Sequence, residues 1–310
     1  MTGGPITALR RPRRLVPGDR VAVVAPSGPL EADRLARGVG ILESWGLQVV
    51  VGAHALERDR HLAGDDEGRA ADLQAAWTDP SVRAVVCARG GSGAARLLDL
   101  LDWDAVRRAE PRVLVGFSDA TVLHEAAATH AGVAGLFGPM AATEVFGGAA
   151  PDAETVEHLR TTLFQPEEAQ VLSGAGTRRI AGGRAAGVTV GGTLSLLAGS
   201  VGTPESRPAR GGIVVLEDVT EEPYRIDGLL TQLLRAGWFD GVRGVALGSW
   251  VGCGDDAVET VTARLQHLGV PVLADLPFGH GVPQLTVPLG VEAVLDADAG
   301  TLTMCEPALA

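Results

Sequence analysis

The sequence of 310 residues contains few cysteines, no lysine and no long apolar run. Its three cysteines, Cys87, Cys253 and Cys305, lie far apart and show no CxxC or HxxxH spacing, so the sequence indicates neither a disulfide framework nor a zinc site. The apolar runs fall short of the ~20 residues that a membrane-spanning helix needs, and no signal-peptide h-region follows the first arginines. We therefore expect a cytoplasmic protein that has no membrane partner.

Positive charge is outweighed by negative charge, since the formal net charge is -12. Nucleic-acid-binding proteins gather basic side chains on one face, so this balance argues against a nucleic-acid partner. One basic stretch, residues 10–14 (RRPRR), is interrupted by a proline and is predicted to be a solvated leader. The 46% of hydrophobic residues can form a substantial core, in two domains or in one large domain.

Strand-like and helix-like patterns alternate through the first half of the chain. Apolar, β-branched runs predict strands at residues 20–25, 47–51, 84–88 and 112–117, and the segments between them show helical periodicity. This alternation predicts an α/β fold with a parallel sheet that is covered on both faces. In such a sheet, ligands bind at the carboxyl ends of the strands.

The composition changes between residues 141 and 187, which are rich in glycine and alanine and contain one short helical pattern, at 153–163. We interpret this segment as a linker or a mobile flap. A second block of strands and helices follows it. The predicted domains are therefore an N-terminal domain at 1–145, a linker at 146–187 and a C-terminal domain at 188–310.

A serine stands at the end of the fourth predicted strand, in the sequence VGFSDAT at residues 115–121. Helical spacing begins directly after Ser118, so this residue is expected on a strand-to-helix turn, where its hydroxyl could act as a nucleophile beside the first amides of the helix. Serine is also a favoured helix N-cap, and the local sequence alone favours capping. Candidate catalytic partners elsewhere in the chain are needed to distinguish the two interpretations.

A glycine-rich loop, Arg89-Gly90-Gly91-Ser92-Gly93, follows the third predicted strand. It lacks the last glycine of GxGxxG, and no lysine stands where a P-loop requires one, so a phosphate site is weakly supported. The paired glycines allow the backbone to approach a ligand closely and could supply part of an oxyanion hole. A tight strand-to-helix turn without any function remains an equal alternative.

Two further residues complete a possible catalytic set. Glu217 lies at the end of an apolar strand, and His280 lies in a loop punctuated by glycine and proline, where it is free to reach another residue. Each could have a purely structural role. Together with Ser118 they provide a nucleophile, a base and an acid that orients the base, which is what serine needs to become reactive. This interpretation predicts an active site between the two predicted domains.

The ordered motifs of the whole chain resemble the L,D-carboxypeptidase family of serine peptidases, which includes muramoyltetrapeptide carboxypeptidases and microcin C immunity peptidases. The motifs that carry the resemblance are Pro17-Gly18-Asp19, Ala25-Pro26-Ser27-Gly28, Leu62-Ala63-Gly64, Arg89-Gly90-Gly91, Gly116 to Asp119, Gly138-Pro139, Gly191-Gly192, Leu216-Glu217-Asp218, Pro223 to Asp227 and Pro277 to His280. Ala120 replaces the second glycine of a GxSxG elbow, which points away from the α/β-hydrolases.

The resemblance implies roles for specific residues and a fold. It implies Ser118 as nucleophile, Glu217 as orienting acid and His280 as general base, with an oxyanion hole from the backbone amide of Asp119 and one from the Gly90-Gly91 pair. It also implies a Rossmann- or flavodoxin-like N-terminal sheet, a smaller strand-rich C-terminal α/β domain, a homodimer and no cofactor. The expected activity is release of terminal D-alanine from murein tetrapeptide during cell-wall recycling.

Three positions depart from the family pattern and leave the substrate open. Ser92 stands where an aromatic residue is usual, Thr193 where asparagine is usual, and Gly228 where an arginine is expected. One alternative is an immunity peptidase that cleaves aminoacyl-nucleotide antibiotics, although residues 141–187 contain no tryptophan that could stack on a base. A nucleotide-binding Rossmann-like protein is a further alternative, but Phe117-Ser118 occupies the place of its acidic ribose ligand.

Overall fold

The computed structural model describes residues 4–310, in which strands and helices alternate as the sequence predicts. The strands are β1 (Arg20–Val24), β2 (Gln48–Val51), β3 (Val82–Cys87), β4 (Val113–Gly116), β5 (Gly135–Phe137), β6 (Val171–Leu172), β7 (Arg178–Ala181), β8 (Arg184–Thr193), β9 (Gly212–Val219), β10 (Gly244–Val251), β11 (Val272–Ala274), β12 (Val287–Leu289), β13 (Glu292–Asp296) and β14 (Thr301–Met304). The α-helices are α1 (Ala32–Ser44), α2 (Asp66–Thr78), α3 (Trp103–Arg108), α4 (Thr121–Ala126), α5 (Glu144–Gly147), α6 (Ala153–Phe164), α7 (Leu194–Gly199), α8 (Pro223–Arg235) and α9 (Ala257–Leu265).

The first sheet has the strand order β12-β5-β4-β3-β1-β2. Strands β1 to β5 are parallel to one another, and β12 returns from late in the chain to pair antiparallel with β5. The order 2-1-3-4-5 of the parallel strands is that of a flavodoxin-like sheet. The predicted Rossmann- or flavodoxin-like domain is therefore confirmed.

Burial of the central strands on both faces explains why their sequences are continuously apolar. In β1, Val21 and Val23 pack into one hydrophobic cluster, whereas Ala22 and Val24 pack into another on the opposite face. Successive residues of a strand point to opposite faces, so a sheet with helices on both sides needs apolar residues at every position.

The second sheet contains eight strands in the order β6-β14-β13-β8-β9-β10-β11-β7. Its centre, β8 to β11, is parallel, and the flanking strands pair antiparallel. The strand-rich C-terminal α/β architecture is confirmed. Strands β6 and β7, which fall in the segment interpreted as a linker, form the two edges of this sheet. The division at 1–145, 146–187 and 188–310 stays a prediction.

The basic stretch near the N-terminus contacts Ala131 and the C-terminal residues, so it is not a free leader, although Arg10 and Arg13 stay exposed to solvent as the sequence predicts. The guanidinium of Arg10 donates to the carbonyl of Ala131 at 2.9 Å, and that of Arg11 donates to the carbonyl of Pro307 at 2.8 Å. The backbone amide of Arg14 donates to the carbonyl of Ala310 at 2.9 Å. Arg11 and Arg14 thus connect the N-terminal stretch to the last residues of the chain.

Local geometry changes one predicted helix. Residues 94–101 read as a helix in the sequence, but the structure has a 3₁₀ helix over Ala94–Leu100, after a left-handed Gly93 (φ 115°). Another 3₁₀ turn, Ser118–Ala120, leads into α4.

Among the helices of residues 4–310, none has the length and apolar character to cross a membrane.

Candidate active site

Ser118 occupies a strained turn at the carboxyl end of β4. Its φ of 58° lies in the left-handed region, which residues other than glycine rarely adopt, and its side chain is half-buried. No hydrogen bond within residues 4–310 uses its hydroxyl to cap the following helix. The turn therefore presents the hydroxyl beside the start of α4 without tying it up as a cap, as expected of a nucleophile on a strand-to-helix elbow.

The glycine pair approaches Ser118 so closely that a side chain would not fit. A Cβ on Gly90 would lie 2.9 Å from the Cβ of Ser118 and 3.0 Å from its Oγ. The next residue, Gly91, has a φ of 118°, which favours glycine. The turn after β1 closes the other side of the loop, because the amide of Gly28 donates to the carbonyl of Gly90 at 3.1 Å.

Glu217 and His280 are brought together in the second sheet. Glu217 is fully buried near the end of β9, and its Oε2 accepts a hydrogen bond from Nδ1 of His280 at 2.7 Å and another from the His280 backbone amide at 3.1 Å. Gly279 makes this approach possible, because a Cβ there would lie 2.5 Å from Oε2. His280 is thus held through its backbone amide as well as through its imidazole ring.

The pair also determines which nitrogen of His280 carries the proton. A carboxylate can only accept, so Nδ1 is the N–H donor and Nε2 is left with a lone pair. The His280 ring lies edge-on to Phe117, with 4.7 Å between ring centroids. Since Phe117 directly precedes Ser118, the structure brings the predicted base to the nucleophile's turn, between the two sheets.

Thr193 contacts the same carboxylate, which sequence reasoning missed. Its hydroxyl donates to Oε1 of Glu217 at 2.5 Å, while its backbone amide donates to Oγ1 of Thr121, in the first turn of α4, at 3.2 Å. Both carboxylate oxygens of Glu217 are therefore satisfied, and β8 is connected to the helix that follows Ser118. The sequence signal for this contact is the motif Gly191-Gly192-Thr193, in which Thr193 replaces the usual asparagine.

Asp119 connects the serine turn to the glycine loop. Its buried Oδ2 accepts a hydrogen bond from the backbone amide of Ala94 at 2.8 Å. Within residues 4–310, the backbone amides of Gly90 and Gly91 donate no hydrogen bond to another backbone group. Unpaired amides close to Ser118 are what the predicted oxyanion hole would need.

Asp218 is a second buried carboxyl beside Glu217. Burial raises its pKa to about 6, and the amides of Val219 and Ser195, which donate to it at 2.8 and 2.7 Å, oppose that rise. Hydrogen bonds of this kind favour the carboxylate form. Asp218 therefore anchors the start of α7 to β9 and supports the strand end that carries Glu217.

Two of the three departures from the family pattern lie at exposed positions, those of Ser92 and Gly228. A Cβ at Gly228, in α8, would meet no atom of the described residues within 4 Å. For metal binding, no group of three or more His, Cys, Asp or Glu side chains in the described part of the chain is arranged to hold an ion.

Comparisons with known proteins agree with this fold. Residues 21–138 match the model of the LD-carboxypeptidase N-terminal domain, and residues 186–295 match that of the LD-carboxypeptidase C-terminal domain. The chain belongs to the LD-carboxypeptidase family and is a serine peptidase.

Individual relatives extend the similarity to nearly the whole chain. A Streptomyces coelicolor protein that is named provisionally as a carboxypeptidase is 57% identical over 97% of this chain and 98% of its own length. The murein tetrapeptide carboxypeptidase of Pseudomonas aeruginosa is 34% identical over 90% of this chain and 94% of its own. The structure of the immunity protein MccF with glutamyl sulfamoyl guanosine superposes with a TM-score of 0.88 at 24% identity, covering 97% of this chain and 99% of that one.

Proposed function

We propose that this protein is a serine L,D-carboxypeptidase that releases the terminal D-alanine of murein tetrapeptide in cell-wall recycling. The observation that carries the proposal is the pair of Glu217 and His280: their 2.7 Å hydrogen bond uses Nδ1 and not Nε2, and the His280 ring contacts Phe117, the residue before Ser118. The 34% identity to a murein tetrapeptide carboxypeptidase supports the substrate.

The proposed reaction proceeds through an acyl-enzyme. Ser118 Oγ attacks the carbonyl of the L-configured diamino acid while Nε2 of His280 accepts its proton. The backbone amides of Asp119 and of the Gly90-Gly91 pair stabilise the oxyanion. His280 then passes the proton to the departing amine of D-alanine, and a water molecule, activated by the same imidazole, hydrolyses the ester.

Replacement of the nucleophile tests the proposal directly. Wild-type protein is incubated with murein tetrapeptide, and the products are identified by mass. We expect release of D-alanine that falls by a factor of about 10³ or more in Ser118→Ala, with an unchanged melting temperature. Ser44→Ala, at an exposed serine in α1, serves as the control and should keep full activity. Undiminished turnover by Ser118→Ala would exclude Ser118 as the nucleophile.

The structural similarity to MccF raises cleavage of aminoacyl nucleotides as a second candidate. Stacking of a nucleobase would require an accessible aromatic ring, and residues 141–187 contain only Phe146 and Phe164. Phe146 is 1% exposed, and the ring of Phe164 packs edge-on against Trp45. These contacts favour the murein peptide. Turnover of a glutamyl sulfamoyl nucleotide in parallel with the tetrapeptide separates the two activities.

Two properties of the proposed enzyme come from the family resemblance. We propose that it acts in the cytoplasm, where its recycling substrate would be processed, and that it forms a homodimer. Light scattering of the purified protein tests the second point, since one chain has a mass of 31.9 kDa. Twice that mass is the expected result, and a single-chain mass at assay concentrations would refute the homodimer.

A further inference from the structure

A carboxypeptidase has to recognise the free carboxylate of the residue that it releases. Arginine is well suited to this task, because its planar guanidinium can bind a carboxylate through two parallel hydrogen bonds. All 26 basic residues of this chain other than histidine are arginines, since the sequence contains no lysine. The permanent positive charge of such a site must therefore come from an arginine near Ser118.

Several arginines near the carboxyl ends of the strands of the first sheet, and one in the first turn of α8, lie within 4.0 Å of a carboxylate. The pairs are Arg58 with Glu31 at 3.9 Å, Arg60 with Asp59 at 2.9 Å, Arg96 with Asp66 at 2.6 Å and Arg225 with Glu221. Arg89 differs from them. Within residues 4–310 no carboxylate lies within 4.0 Å of its exposed guanidinium, which donates through Nη1 to the carbonyl of Pro29.

Arg89 also lies at the carboxyl end of β3, close to Ser118. It follows β3 and precedes Gly90, whose Cα is close enough to Ser118 that a Cβ would lie 3.0 Å from Oγ. Its Nη1 would be 3.3 Å from a Cβ on Gly28, in the turn after β1. The strand order 2-1-3-4-5 reverses direction between β1 and β3, and ligands of doubly wound sheets bind in the crevice at that point.

We propose that Arg89 binds the free α-carboxylate of the C-terminal residue that the enzyme releases. This inference rests on the proposed carboxypeptidase function and adds the group that distinguishes a C-terminal residue from an internal one. The bond to Pro29 uses one of the five N–H donors of the guanidinium, so the remaining donors are available for two parallel hydrogen bonds to a carboxylate. Arg89 is thus a specificity-determining residue next to the glycine pair.

The test compares two substrates that differ only at this carboxylate. Kinetics are measured with a tetrapeptide that ends in D-alanine and with the same peptide ending in D-alaninamide. We expect wild-type kcat/KM to be about 10- to 100-fold higher for the free acid, because a hydrogen bond between charged groups contributes binding free energy of that size. Arg89→Gln should lose this preference, mainly through a higher KM for the acid, while its activity on the amide stays within about twofold of wild type.

Controls separate a binding role from a structural one. Arg58→Gln removes an arginine from the same edge that is already paired with a carboxylate, so its preference for the acid should remain. Arg89→Lys keeps the charge without the planar fork and should restore part of the preference. If Arg89 only holds Pro29 in place, Arg89→Gln will lose activity on both substrates equally, which overturns the inference.

The outcomes also distinguish this inference from the proposed function. A wild-type enzyme that releases D-alanine while Arg89→Gln keeps the full preference for the acid would refute the role of Arg89 alone. If the wild type releases no D-alanine from the tetrapeptide, the proposed function fails, and this inference fails with it. Melting temperatures of the variants establish that each of them is folded.

Discussion

Thr193 donates its hydroxyl proton to Oε1 of Glu217 at 2.5 Å, inside a region where both side chains are buried. The other oxygen of this carboxylate, Oε2, accepts a hydrogen bond from Nδ1 of His280. A buried carboxylate oxygen that loses its donor costs free energy, because water cannot replace the missing partner. Thr193 therefore helps to fix the orientation of Glu217, the proposed orienting acid.

Thr193→Val should expose this role. Valine has nearly the same shape but no hydroxyl, so we expect the free energy of unfolding to fall by about 1–3 kcal/mol and kcat to fall about 10-fold. Thr193→Ser retains the hydroxyl and should restore most of both losses. Urea denaturation and steady-state kinetics measure the two effects. A valine variant with wild-type kcat would show that Glu217 needs no donor at Oε1.

Glu217→Gln should damage catalysis more than binding. An amide can present its NH₂ group to Nδ1 and stabilise the wrong tautomer of His280, and it cannot balance the charge of the imidazolium. We expect kcat to fall by about 10³- to 10⁴-fold with a small change in KM. Single-turnover kinetics on the tetrapeptide provide the measurement. A loss confined to KM would contradict the orienting role.

Gly90→Ala tests the close approach of the glycine loop to the nucleophile. The new methyl group would lie 2.9 Å from the Cβ of Ser118, so either the loop or the serine turn has to move. Because a small misplacement of reacting groups is costly, kcat should fall by about 100-fold or more. The matched control is Gly40→Ala, at an exposed position in α1 with no atom within 4 Å of the new Cβ. It should keep full activity and stabilise the helix by about 0.5–1 kcal/mol.

His124, in α4, should make the protein sensitive to acid. Its buried Nε2 donates to the carbonyl of Gly116 at 2.9 Å, and burial lowers its pKa to about 4. In the unfolded chain the imidazole takes a proton near pH 6.5, whereas the folded protein resists protonation down to about pH 4. Unfolding therefore takes up a proton between these values, and the free energy of unfolding falls as the pH is lowered.

The variant His124→Gln isolates this effect, because glutamine can donate to Gly116 but does not titrate. Between pH 7 and pH 4 the wild type should lose about 3 kcal/mol more stability than the variant does. Urea denaturation at a series of pH values is the measurement. Parallel pH profiles for the two proteins would show that His124 is not responsible.

The strands of the first sheet could be predicted from the sequence because burial on both faces requires continuous apolar runs. Residues such as Val21 to Val24 contact different cores on alternate sides, so the pattern follows directly from the fold class. Pairing over long distances has no such local signal. Strand β12 joins the first sheet from residues 287–289, and β6 and β7 border the second sheet although their segment looks like a linker.

The sequence by itself determined the α/β class and the ordered motifs around Ser118, Glu217 and His280. Those motifs are local, because a strand end or a glycine turn depends on neighbouring residues. Only the tertiary structure decided that Glu217 accepts from both His280 and Thr193, and that no carboxylate of residues 4–310 pairs with Arg89. Burial and hydrogen-bond partners depend on residues that are distant in the chain, and packing alone brings them together.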